Sequence, residues 1–244
     1  MKLERYTKQI RVHEFGEKGQ KTLASSRVII IGAGGLGTNS ANLLTRTGVG
    51  TITIVDDDLV DLTNLHRTAI FTENDIGKPK SATLVEKLKT INTSIHIEGI
   101  QAHVTRENID QIVKNADIIL DGSDNMDTRF LLNDYAVKNK IPWVYAGVAE
   151  TVGMVMGIIP NETPCLRCMA QTIPTTAPPA DFGTFSLIPV IAASMQCMEA
   201  IKILLGEKPA GFMLYDIWKQ QFETLKVQKN PGCRCCEKHS FDFL

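Results

Sequence analysis

A chain of 244 residues, 43% apolar and 22% charged, is long enough to bury a sizeable core as one large α/β domain, or as one domain with a small appendage. Its net charge of −1 argues against nucleic acid or an anionic membrane as the main partner. The charged start MKLERYTKQIRVHEFGEKGQ is not a signal peptide, so the six cysteines are expected in a reducing cytoplasm.

Residues 3–24 read as an amphipathic helical lead-in. Val28–Ile31 is a buried-type strand that runs into Gly32-x-Gly34-x-x-Gly37, and Leu36–Thr47 is the helix fed by that glycine loop. A second strand, Thr51–Val55, ends in Asp56, Asp57 and Asp58. A polar connection over 58–78 leads to a helix at 79–91, a strand at 95–102, and a fourth strand at 116–120 that ends in DGSDN. A helix over 128–140 and a strand over 143–148 complete an alternation that implies a parallel sheet with right-handed crossovers. Ligands in such sheets sit at the carboxyl ends of the strands, where Gly32–Gly37, Asp56–Asp58, Asp121–Asp124 and Gly147 all fall.

The pattern then changes. TVGMVMGIIP suggests a strand pairing antiparallel with its neighbour, and the Pro- and Thr-rich residues 161–185 read as a long irregular crossover. Residues 185–205 form the most apolar window, yet Pro189, Gln196, Glu199 and Lys202 favour a buried helix over a membrane span. Two short strands near 212–218 and 222–227 close the chain.

The glycine loop (Gly32, Gly34, Gly35, Gly37) would let backbone N–H groups approach a phosphate, and Asp56 stands at the offset of a ribose-binding acid. Asp58 is assigned to the same site, whereas Asp57 and Asp61 read as a solvated acidic turn. A dehydrogenase needs little more, but Asn64, Arg67 and Lys80 follow within one segment. An amide and two cations there suit the charge of a triphosphate better than a nicotinamide cofactor. Asp124, just past a strand end, is a candidate Mg²⁺ ligand, and Asp121 reads equally as a ligand or as a turn acid. Cys165-Leu-Arg-Cys168 and Cys233-Arg-Cys235-Cys236 suit a tetrahedral thiolate zinc site of structural type. CxxC spacing selects Cys233 and Cys236 as the second pair, with a CxC alternative through Cys235. Cys197 reads as a buried core residue.

Together, GAGGLG, TGVGTITIVDDD, NLHR, IGKPKS, ILDGSDN, TRFLLND, PCLRC and NPGCRCC resemble the MoeB/ThiF/HesA family, relatives of ubiquitin-activating enzymes, over nearly the whole chain. The resemblance implies a Rossmann-like α/β fold with a mostly parallel sheet, a C-terminal antiparallel extension and a structural zinc site. It divides the single adenylation domain, 1–244, into an N-terminal helical segment (1–24), a nucleotide-binding core (25–160) and a zinc-tethered part (161–244). It implies a homodimer that uses MgATP to adenylate a carboxylate, usually the C-terminal glycine of a ubiquitin-like sulfur carrier. Gly34 and Gly37 would line the phosphates and Asp56 the ribose, with Asn64, Arg67 and Lys80 on the triphosphate and Asp124 on Mg²⁺.

Three departures qualify this. Lys8 stands where the family has an arginine that reaches into the partner subunit's site, with Arg5 as an alternative cation. Thr68 replaces the glutamine of NLxRQ, and residues 171–185 contain no cysteine for a thioester. Those departures open a second reading, adenylation of a small carboxylate handed on to an acceptor protein, as in the branch acting on the guanylylpyridinol precursor of the iron hydrogenase cofactor (the HcgE type). A third is a non-catalytic scaffold subunit paired with an active homologue.

Overall fold

The computed structural model describes residues 3–170 and 183–244. Eight strands form one sheet in the order β3-β2-β1-β4-β5-β6-β7-β8. The parallel part comprises β1 (Arg27–Ile31), β2 (Thr51–Val55), β3 (His96–Ile100), β4 (Ile118–Asp121) and β5 (Trp143–Ala149). The antiparallel extension comprises β6 (Val152–Ile158), β7 (Phe212–Asp216) and β8 (Gln221–Leu225).

The inner strands are continuous apolar runs because helices cover both faces of the sheet. Alternation sends Val28 and Ile30 to one face and Ile29 and Ile31 to the other. The first face packs on α2 (Gly16–Ser25), α3 (Gly35–Thr47), α4 (Lys80–Ile91) and α8 (Leu187–Leu204) through Leu23, Leu44, Leu88 and Ala192. The second packs on α5 (Ile109–Val113), α6 (Met126–Asn139) and α7 (Leu166–Ala170) through Val113, Leu132 and Leu166. These are the three layers of a helix-flanked sheet.

The N-terminal lead-in is not one helix. After a 3₁₀ turn and the four-residue α1 (Thr7–Ile10), the chain turns over 11–15, and α2 starts at Gly16, whose φ of +61° is left-handed. Polarity in the irregular stretches hid two short helices, α5 and α7, from a periodicity argument. Residues 171–182 of the expected crossover lie outside the described residues. The apolar window 185–205 becomes α8, packed on α3, β5 and β6. Its Gln196 is buried but fully occupied. The amide donates to the carbonyls of Asp121 (2.7 Å) and Val144 (3.0 Å) and accepts from the Ser40 hydroxyl (2.9 Å).

The chain leaves β1 toward β2 and β3, then returns to place β4 on the other side of β1. This is the reversal of strand order at which open α/β sheets gape and take ligands.

Candidate active site and thiol cluster

A cavity of about 500 Å³ opens at that reversal. Two tight loops form its floor. Gly32 donates to the Val55 carbonyl and Gly122 to that of Ile31, both at 2.7 Å. Side chains have no room there. A Cβ on Gly32, where φ is +97°, would meet the Gly122 oxygen at 2.4 Å, and one on Gly37 would meet the Gly32 oxygen at 1.8 Å. Gly34 caps α3, and the space beyond its Cα is open.

The Asp56 carboxylate braces the loop, accepting from the Ala33 N–H (2.6 Å) and the Asp58 N–H (2.9 Å). Burial pushes its carboxyl up, only partly offset by the Ala33 hydrogen bond and the Lys80 charge. Each oxygen keeps a lone pair for a ligand hydroxyl. Lys80 opens α4 and donates to Asp58 at 2.7 Å, with its side chain buried and Asp58 exposed. Arg67 hangs from the same wall with one N–H on the Thr63 carbonyl (2.7 Å). Asp124 lines the same cavity, its carboxylate accepting from the Asn125 amide at 3.4 Å and lying near enough to Arg129 to help hold that guanidinium charged.

Gly32, Gly34, Gly35, Asp56, Asp58, Arg67, Lys80 and Asp124 therefore line one cavity. Gly37, Asn64, Lys8, Arg5 and Thr68, also named from the sequence, do not. Gly37 stands behind the loop and lets it close. The Asn64 side chain accepts from the Asp61 N–H (3.2 Å), completing a capping box with Asp61. Lys8 is exposed on α1, away from the cavity, and Arg5 is spent on the Ile91 carbonyl (3.0 Å). Thr68 is buried, its hydroxyl returned to the Asn64 carbonyl, so it does not face a ligand.

Sequence reasoning missed Ala102, His103 and Val104, which close one end, Thr184 and Pro189 on the wall, and Arg129. The signal for Arg129 was present: a buried acid ending an apolar strand needs a cation, and Arg129 is the first one in the helix that follows Asp121. The Arg129 guanidinium meets the Asp121 carboxylate at 3.1 Å. Burial pushes the Asp121 carboxyl up against the pull of Arg129 and Ser123.

The second constellation is a cluster of thiols. The Sγ atoms of Cys165, Cys168, Cys233 and Cys236 lie within 4.8 Å of one another, all buried. The separations of 4.0 Å (Cys165–Cys168), 3.6 Å (Cys165–Cys233) and 3.3 Å (Cys168–Cys236) bracket the roughly 3.8 Å between sulfurs about 2.3 Å from a tetrahedral zinc. Cys165 immediately precedes α7 and Cys168 lies on it, and α7 is pinned to α6, the Leu166 N–H donating to Asn133 Oδ1 at 2.9 Å. The hydrogen bond with Cys165, then burial, raises the Cys168 thiol to about 12; burial, then Cys168 and Cys233, raises Cys236 to about 12. A divalent cation would reverse that penalty, so the donor set fits one. Cys235 is not one of the four but adjoins them, its sulfur taking the Asn133 amide at 3.3 Å and lying within hydrogen-bond reach of Cys165.

Sheet, glycine loop, and facing cations and acids define a nucleotide-binding α/β domain with the equipment for group transfer from a triphosphate. Residues 6–235 match the ThiF family, and the chain belongs to that family. It is 37% identical to the sulfur carrier protein ThiS adenylyltransferase of Bacillus subtilis, with 98% of this chain and 73% of that protein aligned. It is 34% identical to the SAMP-activating enzyme E1 of Haloferax volcanii (99% and 92%) and 35% to a sulfur carrier protein adenylyltransferase of Thermus thermophilus (96% and 90%). The fold matches that of Escherichia coli MccB crystallised with ATP, with a TM-score of 0.83 at 23% identity over 96% of this chain and 74% of that one. The protein is an adenylyltransferase of the MoeB/ThiF type, and its reaction is the ATP-dependent adenylation of a carboxylate.

Proposed function

We propose that the carboxylate is the C-terminal glycine of a ubiquitin-like sulfur-carrier protein, activated in the cytoplasm for cofactor biosynthesis. The observation that carries this reading is similarity, across nearly the whole of this chain, to enzymes named for activating sulfur carriers, together with a cavity that gathers Gly34, Asp56, Arg67, Lys80 and Asp124. A carboxylate oxygen attacks the α-phosphorus in line and pyrophosphate leaves. The attacking group is already ionised at neutral pH, so no general base is needed. Positioning and neutralisation of developing charge do the work, through Arg67, Lys80 and the N–H groups at the start of α3.

Asp124 would hold Mg²⁺, a free carboxylate at the cavity wall being the hard oxygen donor that ion prefers, and the ion would supply further charge neutralisation. The four thiolates would hold a structural zinc, which leaves no open position for water. In a homodimer, Lys8 would be offered to the site of the second copy. The test is ATP–pyrophosphate exchange with carrier proteins that have intact or truncated tails, beside a panel of small carboxylates. Exchange stimulated only by intact tails supports the proposal. Stimulation by a small carboxylate alone replaces the carrier with the second substrate class.

A further inference from the structure

We infer that Arg129 is a positioning residue for Asp124, acting from α6 through the turn that follows β4. The inference rests on the reading of Asp124 as the cation ligand of the nucleotide site. Arg129 lies one turn into α6, yet its guanidinium reaches back across the cavity wall. Nε donates to Asp121 Oδ2 (3.1 Å), and Nη2 donates to the carbonyls of Ser123 (2.8 Å) and of Ala146 on β5 (3.3 Å). The Tyr145 ring closes over the group, 5.3 Å from Cζ. The other Asp121 oxygen accepts from the Ser123 N–H (2.9 Å) and hydroxyl (2.6 Å).

Every polar group of Ser123 is thus held by the Asp121–Arg129 pair. Two residues on, the Asn125 side chain caps α6 by accepting from the Thr128 N–H at 2.9 Å. Asp124 stands between two anchored neighbours and itself lines the cavity, within electrostatic reach of Arg129. A buried ion pair is a poor source of stability compared with apolar packing of equal volume. A planar fork that serves a carboxylate and two carbonyls, one in the turn after β4 and one on β5, is instead well suited to fixing a loop. Lysine at this position keeps the charge beside Asp121 but cannot hold both carbonyls in one plane. The change Arg129→Lys therefore separates pairing from positioning. Arg129→Ala would leave the buried Asp121 carboxyl without its cation.

The experiment uses the full chain saturated with AMPCPP and titrated with Mn²⁺, bound ion being read by electron paramagnetic resonance and folding by thermal melting. R129K is expected to bind Mn²⁺ about ten-fold more weakly, the usual effect of losing a residue that orients a metal ligand. D124N should weaken Mn²⁺ binding at least as much, and adding R129K to D124N should cost nothing further. R129K combined with K80M, at a separate wall of the cavity, should multiply. Asp121→Asn gives an independent route, its smaller loss likewise vanishing in the D124N background. Unchanged Mn²⁺ affinity in R129K, or losses that multiply with D124N, overturns the role of Arg129 alone. Wild-type Mn²⁺ binding by D124N overturns the reading of Asp124 and this inference with it.

Discussion

The nucleotide cavity and the thiol cluster both rest on α6, the first on its opening residues Asn125, Thr128 and Arg129, the second on Asn133. They are built on opposite rules. In the cavity, Lys80 is held by an exposed acid, Asp58, so that partner can be exchanged when a polyanion arrives. In the cluster, four like groups crowd a closed, buried shell that only a cation satisfies. The difference teaches which energy each region carries. Cavity residues stabilise a reacting ligand and add little to folding, whereas the thiols hold the chain together and meet no substrate.

The largest predicted effect strikes the cluster. For structural zinc, binding free energy is folding free energy, about 10 kcal/mol or more in small domains. Stripping the metal, or Cys168→Ser, should lower the melting temperature by more than ~10 °C. Metal analysis should find one zinc per chain in the unaltered protein and none in the variant. Stability maintained without metal would break the comparison on that side.

On the cavity side, Lys80→Met should reduce ATP–pyrophosphate exchange by about 10²–10³-fold. Stability should change by less than ~1 kcal/mol, because its partner Asp58 is exposed. A melting transition that fell in step with activity would show that the cavity is a folding element after all. Gly37→Ala is expected to cost roughly 3 kcal/mol, since the new Cβ would force the Gly32 carbonyl out of the loop, and to weaken ATP binding with it. Denaturant unfolding and ATP titration measure the two losses.

Asp75 supplies a control outside both regions. Burial alone would raise its carboxyl, but hydrogen bonds from Lys87 and from the Thr72 N–H and hydroxyl outweigh burial and hold it well below the usual carboxylate range. A depressed folded value contributes stability that is complete above the unfolded value near 4 and fades as pH falls toward the folded one. Asp75→Asn should therefore cost ~2 kcal/mol at pH 7, with the gap to the parent closing below about pH 4. Smallest of all, Cys235→Ser should leave zinc content intact and shift stability by under ~1 kcal/mol, since it replaces one acceptor for the Asn133 amide with another.

Much of the architecture was legible because apolar runs and glycines are strong local signals. β1, α3 and β2 fall where RVIII, the glycine loop and TITIV place them. The cavity's acids and cations were legible as a series, because strand ends and helix starts bring them to one edge. What the sequence hid was the direction of side chains. Asn64 is spent on a cap and Thr68 on its own helix turn, and neither fact is visible in NLHRT. Arg129 escaped because, although Asp121 and Ser123 lie only eight and six residues before it, the fold decides that its guanidinium turns back to them and to Ala146 on β5. α7 escaped because five residues in a Pro-rich stretch are too short to show a period.

Gln196 has a consequence of another kind. α8 is apolar almost throughout, so hydrophobicity does not decide which way it is rotated about its axis. A buried amide that must meet two carbonyls and the Ser40 hydroxyl does decide it, and also fixes the helix lengthwise. Pro189, two turns earlier on the same face, is thereby delivered against Gly35 and Arg67 at the cavity wall. One amide deep in the core thus works as an index pin for a residue on the cavity wall.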